Sequence, residues 1–343
     1  MSAVVETLLT ALILSGLAAI CLALLPHAPP RLRFAVAIIG LGAWLVPWGS
    51  IRIALPPTIA APFAAPLADN LLIAAQLESL DLGRGVDAAA LLGYALAAAS
   101  LVGLALFVGD CLALRRCLRR WRAASRPADE LRSLLPPELA RVAAEIRVVA
   151  HSGVSAASGY FRPTIWIGDR YTGERLRLVV VHEAWHVRGH DPLWLLVVAG
   201  VRRAYWWNPL VAHLARRAIL MIESTCDHRS AAHFDKQRYI AELASLVLVG
   251  ATPAPRLIAT ARAANLDVQR LRLLGTTLRL RARDVAVVAA LGVGAAATAT
   301  TNVIELEAPN ALETLPSLVN TDVLDDWLTS YAYTPQQHLG DAP

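Results

Sequence analysis

The sequence predicts a mainly α, polytopic membrane protein with four transmembrane helices and one cytoplasmic domain of α+β structure between the third and the fourth. Three observations carry that fold class. The chain of 343 residues is 56% hydrophobic and only 17% charged, whereas ordinary soluble domains carry about 25% charged residues. Its apolar residues gather in four runs, each near the roughly 20 residues that span a hydrocarbon core. Its arginines gather at the ends of those runs.

The first run, 7–25, ends at Pro26. A signal peptide would open with a basic segment; here Glu6 precedes the run, which favours an uncleaved span. The second run, 34–53, contains Pro47, and the third is 88–108. The fourth, 285–304, is rich in Ala, Gly and Thr and is the least hydrophobic. A buried helix of a soluble domain is its alternative reading.

Arginine placement sets the expected topology. Arg31 and Arg33 separate runs one and two. Arg115, Arg116, Arg119, Arg120 and Arg122 follow run three, and Arg279, Arg281 and Arg283 lead into run four. The positive-inside rule makes these sites cytoplasmic. The loop 52–87 has two arginines against four acids, and the segment 305–343 has seven acids and no Lys or Arg; both are expected outside. The organisation expected is three spans within 1–109, a cytoplasmic domain over 110–284, a fourth span over 285–304 and an acidic extracytoplasmic tail over 305–343, with both termini outside.

The net charge of +5 is almost wholly arginine, since Lys236 is the only lysine. Its position at run ends argues for membrane orientation, and no helix-turn-helix or zinc-finger spacing stands out, so direct nucleic-acid binding is not expected. Cys21 lies in run one, and Cys111, Cys117 and Cys226 lie in the expected cytoplasmic region without a CxxC pair. A disulfide framework is therefore not expected.

Within 110–284, a basic juxtamembrane helix precedes a connector containing Pro136-Pro137. Residues 146–150 and 164–167 look like short strands rich in β-branched residues, and such strands can offer an edge to an extended polypeptide. A helix is expected from Gly173, with Thr172 as N-cap, through Arg188. It carries His182-Glu183-Ala184-Trp185-His186. Imidazoles four residues apart are about 40° apart around a helix, so both can bind one ion. The glutamate between them can act as a base toward water at that ion. Set among membrane runs, the motif points to an integral-membrane zinc peptidase.

Asp191-Pro192 reads as the N-cap and first residue of a further helix. Its apolar stretch 193–200 is too short to cross a bilayer, so it is core or lies against the membrane. Trp206 and Trp207 suit a membrane interface or a core equally. Asn208-Pro209 repeats the cap signature and opens a helix reaching Glu223, Cys226 and Asp227. Two histidines leave a tetrahedral ion one protein ligand short if water takes the fourth place, and Glu223 is the candidate. Asp227, one turn on, could accept an N–H from a ligand histidine and fix its tautomer; Asp191 is a second candidate for such support. Read alone, Glu223 and Asp227 would be solvated helix charges; the HEAWH motif favours the metal reading. Tyr239, Arg238 and His228 follow the third ligand and are candidates to stabilise an oxyanion, each with a structural role as its alternative.

Taken together, HEAWHVRGHD (182–191), WWNPL (206–210) and ESTCD (223–227), with 37 residues from His186 to Glu223, resemble the BlaR/MecR sensor peptidases, metallopeptidase family 56. The resemblance covers residues 1–304. It implies a gluzincin-like peptidase domain with one Zn2+ per chain on His182, His186 and Glu223, Glu183 as general base and Asp227 behind the ligands. It also implies a multi-pass protein of the bacterial inner membrane that cleaves a cytoplasmic transcriptional repressor. The family's antibiotic sensors continue into a penicillin-binding domain with an acylated SxxK serine. No SxxK occurs here, because His233 stands three residues before the only lysine, Lys236. The expectation is a signal-transducing metalloendopeptidase that works with a protein substrate, the lipid bilayer, and a separate sensor protein or a second copy of itself. The alternatives are a housekeeping membrane protease and a non-catalytic receptor with a structural zinc; the intact Glu183 argues against the receptor.

Overall fold

The computed structural model describes residues 3–50, 53–55, 88–248, 264–276 and 278–306. The first apolar run forms α1 (Ala3–Leu24), and Pro26 and Pro29 fall in the turn that follows it. α2 (Pro30–Gly42) begins on a proline, whose fixed φ and missing N–H suit a first helical turn. The second run is not one helix over 34–53. Its α-helix starts earlier, at Pro30, and gives way to 3-10 turns at Ala43–Leu45 and Trp48–Ser50. Pro47 explains the break, since its ring excludes a continuing helix, and the indole of Trp48 donates to the freed Ala43 carbonyl at 2.8 Å. Strand β1 (Ile53–Leu55) follows.

The third run continues without a break into the arginine-rich segment as α3 (Ala88–Ala123). The apolar run and the basic segment after it are thus one rod. Then come strands β2 (Ser125–Pro127), β3 (Glu145–Val149), β4 (Ser155–Ser158) and β5 (Thr164–Gly168), in the sheet order β2-β3-β5-β4. β3 and β5 are parallel, while β2 and β4 are antiparallel edges. β3 and β5 are the two strands the sequence predicted. β2 and β4, built of Ser, Ala, Arg and Pro, carry no β-branched signal of their own.

The motif helix α4 (Gly173–Arg188) lies after the sheet and is followed by α5 (Asp191–Ala204), α6 (Pro209–Ala231), α7 (Lys236–Leu248) and α8 (Ala264–Gly275). α9 (Ala282–Val303) covers most of the fourth run. Its approach meets the end of α1: Arg279 N–H donates to His27 O at 3.2 Å and Arg283 to Leu24 O at 3.5 Å. The basic segments that close α1 and open α9 therefore share one end of the bundle. Two of the described helices, over Val5–Leu24 and Leu91–Ala123, are long and apolar enough to cross a membrane.

The described residues fall into two units, one holding 3–50, 88–248, 264–276 and 278–303 and the other 53–55 and 304–306. In the second, β1 pairs in parallel with β6 (Ile304–Leu306), Ile53 facing Ile304. The first holds two large apolar clusters. One packs α1 and α2 against α5 and the first part of α6, through Leu41, Val198, Leu214 and Met221. Gly40 permits this closeness, since a Cβ there would fall 2.5 Å from that of Ala18. The other packs β3 and β5 against α4, Cys226, Tyr239 and Leu274. α6 runs from the heart of one cluster into the other, and α8 also reaches both, through Leu266 and Leu274.

Candidate active site

α4 is held by its own apolar residues. Val179, Val180, Val181 and Ala184 are buried against the sheet, so the motif sits on a packed helix. Thr172 stands before it, but its side chain makes no capping bond. His182 and His186 converge through their Nε2 atoms, 3.1 Å apart. Glu223, from α6, sets one oxygen 3.7 Å from His182 Nε2 and the other 3.8 Å from His186 Nε2. All three side chains are buried.

Each histidine is gripped from behind. Asp191 accepts from His186 Nδ1 at 2.8 Å and also from the Cys226 thiol at 3.2 Å. His182 Nδ1 faces the Tyr239 hydroxyl at 3.3 Å and Asp227 Oδ1 at 3.4 Å, and Tyr239 itself donates to Asp227 at 3.0 Å. With both Nδ1 atoms directed at oxygens, each ring proton belongs there and both Nε2 lone pairs point at one place. Two lone pairs and a carboxylate crowded together repel unless a cation sits among them. The spacing also fits, since tetrahedral ligands at about 2.0–2.1 Å from an ion lie about 3.3 Å apart. His182, His186 and Glu223 can therefore hold a metal. A second cluster of His186, Asp191 and Cys226 lies beside it. Burial pushes the Cys226 thiol well up, so it stays protonated and acts as a donor to Asp191.

Asp191 corrects the expectation drawn for it. The N-cap of α5 is His190, in the left-handed region at φ 54°, and Asp191 is the first helical residue. Its carboxylate folds back to His186 instead of capping. Gly189 makes room, because a Cβ there would lie 2.7 Å from Asp191 Oδ1. Asn208, by contrast, caps α6 as expected, accepting from Leu210 N at 2.8 Å and Val211 N at 3.2 Å.

Glu183 is buried, and its carboxylate accepts from the Ser155 hydroxyl on β4. The base candidate therefore faces the edge strand of the sheet. The oxyanion candidates are not brought to that side. Tyr239 stands behind His182, Arg238 pairs with Glu174 near the surface, and His228 Nδ1 is held by the Ser224 carbonyl of its own helix at 2.7 Å. A cleft of about 1050 Å3 opens at the C-terminal end of α4, lined by Arg141, Phe161, Arg188 and Leu193 and by none of the ligand candidates.

Arg270 was not foreseen. This buried arginine of α8 donates through Nε and an NH2 group to both oxygens of Asp227, each at 2.9 Å, and its other terminal nitrogen lies 3.1 Å from Glu223. Burial alone would raise the Glu223 carboxyl, but Arg270 and the two histidines outweigh it and hold Glu223 far below the usual carboxylate range. Burial and then the Asp227 charge push Tyr239 well up, so it remains a phenol. Arg270 stays charged because Asp227 and Glu223 overcome its desolvation. Nothing in the sequence separates it from the arginines around it.

A helix bearing His-Glu-x-x-His, completed by a glutamate from a later helix, defines a metallopeptidase-type centre. A family model described as BlaR1 peptidase M56 matches residues 51–270, more than half of the chain, and the chain belongs to that family. Family and apolar helices together support a membrane metallopeptidase. No curated protein matches the chain.

Proposed function

We propose that this protein is a zinc metalloendopeptidase that cleaves a cytoplasmic, repressor-like regulator in response to a signal at the cell envelope. The observation that carries the reading is the convergence of His182, His186 and Glu223 on one buried point, with Glu183 turned to the neighbouring sheet edge. Two imidazoles and a carboxylate suit zinc with one position left open. When bound, the ion supplies Lewis-acid polarisation of a water and of a peptide carbonyl. Glu183 takes a proton from the attacking water on its carboxylate and delivers it to the leaving amide nitrogen. Ser155 holds that carboxylate beside β4, where an extended polypeptide can add as a further strand. Asp191, Asp227 and Tyr239 keep the two rings oriented, and Arg270 helps to keep Glu223 ionised.

Wild type and Glu183→Gln, expressed in membranes, are compared by metal content and by proteomics of new N-termini. Equal zinc, with cleavage reduced about 10²–10⁴-fold in the variant, supports the peptidase. One cleaved transcription regulator supports the signalling role, and many membrane-protein fragments support a housekeeping protease instead. Equal zinc with identical fragments in the presence of the inducing signal overturns the catalytic reading in favour of a receptor.

A further inference from the structure

We propose that α5, α6 and the turn between them form a re-entrant hairpin whose tip lies in the middle of the lipid bilayer, its outer face covered by acyl chains. The proposal rests on the reading that α3 crosses the membrane over 88–108. It departs from the expectation that all of 110–284 lies outside the bilayer.

The register along α3 gives the depth. α5 runs against α3, and its Gly200 lies opposite Phe107. One turn further, the Arg203 carbonyl approaches Gly103 so closely that a Cβ would sit 2.0 Å from its oxygen. At the tip, Trp206 Nε1 donates to Ala99 O at 3.1 Å and Trp207 Nε1 to Ser100 Oγ at 3.2 Å. Ala99 and Ser100 are the middle of the run 88–108. On the other side, the Tyr205 hydroxyl donates to Trp44 O at 2.6 Å, near the far end of α2. From Asp110 to Ala99 is about 16 Å of helix, half the roughly 30 Å hydrocarbon core. The apolar stretch 193–200, too short to cross, is long enough to enter and turn.

The tip also has chemistry that suits hydrocarbon, with several of its polar groups paired internally. Asn208 N–H donates to Tyr205 O at 2.9 Å, the Asn208 side chain takes the N–H groups of Leu210 and Val211, and Pro209 has none to satisfy. Arg203 reaches back along α3 to Asp110, at the charged end of the run, with 2.6 Å between them; a long stem carries its charge away from the core. Trp206 is 59% exposed, and α3, against which it packs, exposes Leu101 and Leu104. Both α3 and the hairpin thus present apolar side chains outward, and the occupant that suits both is lipid. Pro209 to Glu223 is about 21 Å along α6, so the candidate centre lies just beyond the hydrocarbon edge. A bond cut there lies in the headgroup zone.

The test uses nitroxide labels on cysteines introduced one at a time at Pro209, Trp206, Leu101 and Phe161, with the half-buried Cys111 and Cys117 replaced by Ser and the buried Cys21 and Cys226 left in place. The full chain is reconstituted in phosphatidylethanolamine–phosphatidylglycerol vesicles, and each label's collisions with oxygen and with a water-soluble nickel chelate are measured. Labels at Pro209 and Trp206 are expected to behave like that at Leu101, favouring oxygen and losing nickel collisions, while Phe161, 99% exposed, meets nickel freely. Two tip positions are read because Trp206→Cys removes a hydrogen bond and Pro209→Cys does not. Tip labels that meet nickel as freely as Phe161, with Leu101 still protected, overturn the hairpin alone. A Leu101 label open to nickel overturns the membrane reading beneath it.

Discussion

An aspartate placed before a proline ordinarily serves the helix it opens, and Asp191 instead turns back to His186. The local sequence allows it: Gly189 leaves space for the carboxylate, and His190 takes the left-handed turn. An imidazole whose Nδ1 proton is held this way offers a fixed, more basic Nε2 to an ion. Asp191→Ala is therefore expected to weaken zinc binding about 10–100-fold while leaving the helices intact, as read by competition with a fluorescent chelator and by circular dichroism. Unchanged affinity would make Asp191 a packing residue. Arg270 acts on the other side of the centre. Its guanidinium is bound to both oxygens of the fully buried Asp227 and lies against Glu223. Removing one partner of such a group leaves uncompensated buried charge, so Arg270→Gln is expected to destabilise the domain by about 3–5 kcal/mol, measured by chemical denaturation in detergent. Arg270→Lys keeps the charge but not the fork and is expected to fall in between.

The elements legible in the sequence are those whose signal is local. Apolar runs became α1, α3 and α9, and the motif helix α4 spans Gly173–Arg188, the bounds its pattern predicts. β3 and β5 announced themselves through β-branched residues. β2 and β4 did not, because an edge strand of Ser, Ala, Arg and Pro is specified by the partner it pairs with. For the same reason the ligand set was legible and its support was only partly so. His182 and His186 follow from their spacing, and Glu223 was a candidate on a later helix that the family resemblance supported, whereas Arg270 arrives from a helix 43 residues past Asp227. The tip between α5 and α6 is a local signal that worked: Asn208-Pro209 predicted a capped helix, and Asn208 caps it. Asn208→Ala removes the acceptor for two backbone N–H groups, normally about 1 kcal/mol of stability. In a tip shielded from water the loss is expected to exceed that value, since no solvent replaces the acceptor. Equal losses for Asn208→Ala and an exposed helix cap elsewhere would indicate that water reaches the turn.

At the scale of the molecule, the decisive feature is that α6 belongs to two apolar clusters at once. Its first part packs with α1, α2 and α5, and its last part with α4, the sheet and α7. Glu223 lies between, where an ion shared with His182 and His186 would tie α6 to α4. Binding free energy of an ion to such a site is folding free energy for the elements it joins, about 4 kcal/mol at a thousandfold excess over the dissociation constant. Removal should then be felt unevenly. With 1,10-phenanthroline, amide hydrogen exchange is expected to quicken over α4 and over residues 223–231 of α6, while α1 and α2 keep their protection and proteolysis stops. Restoring zinc should reverse both changes. Exchange that quickens evenly through both clusters would mean that they unfold as one cooperative unit. Exchange that does not change anywhere would mean that the packing of α4 against the sheet, and not the ion, holds the centre together.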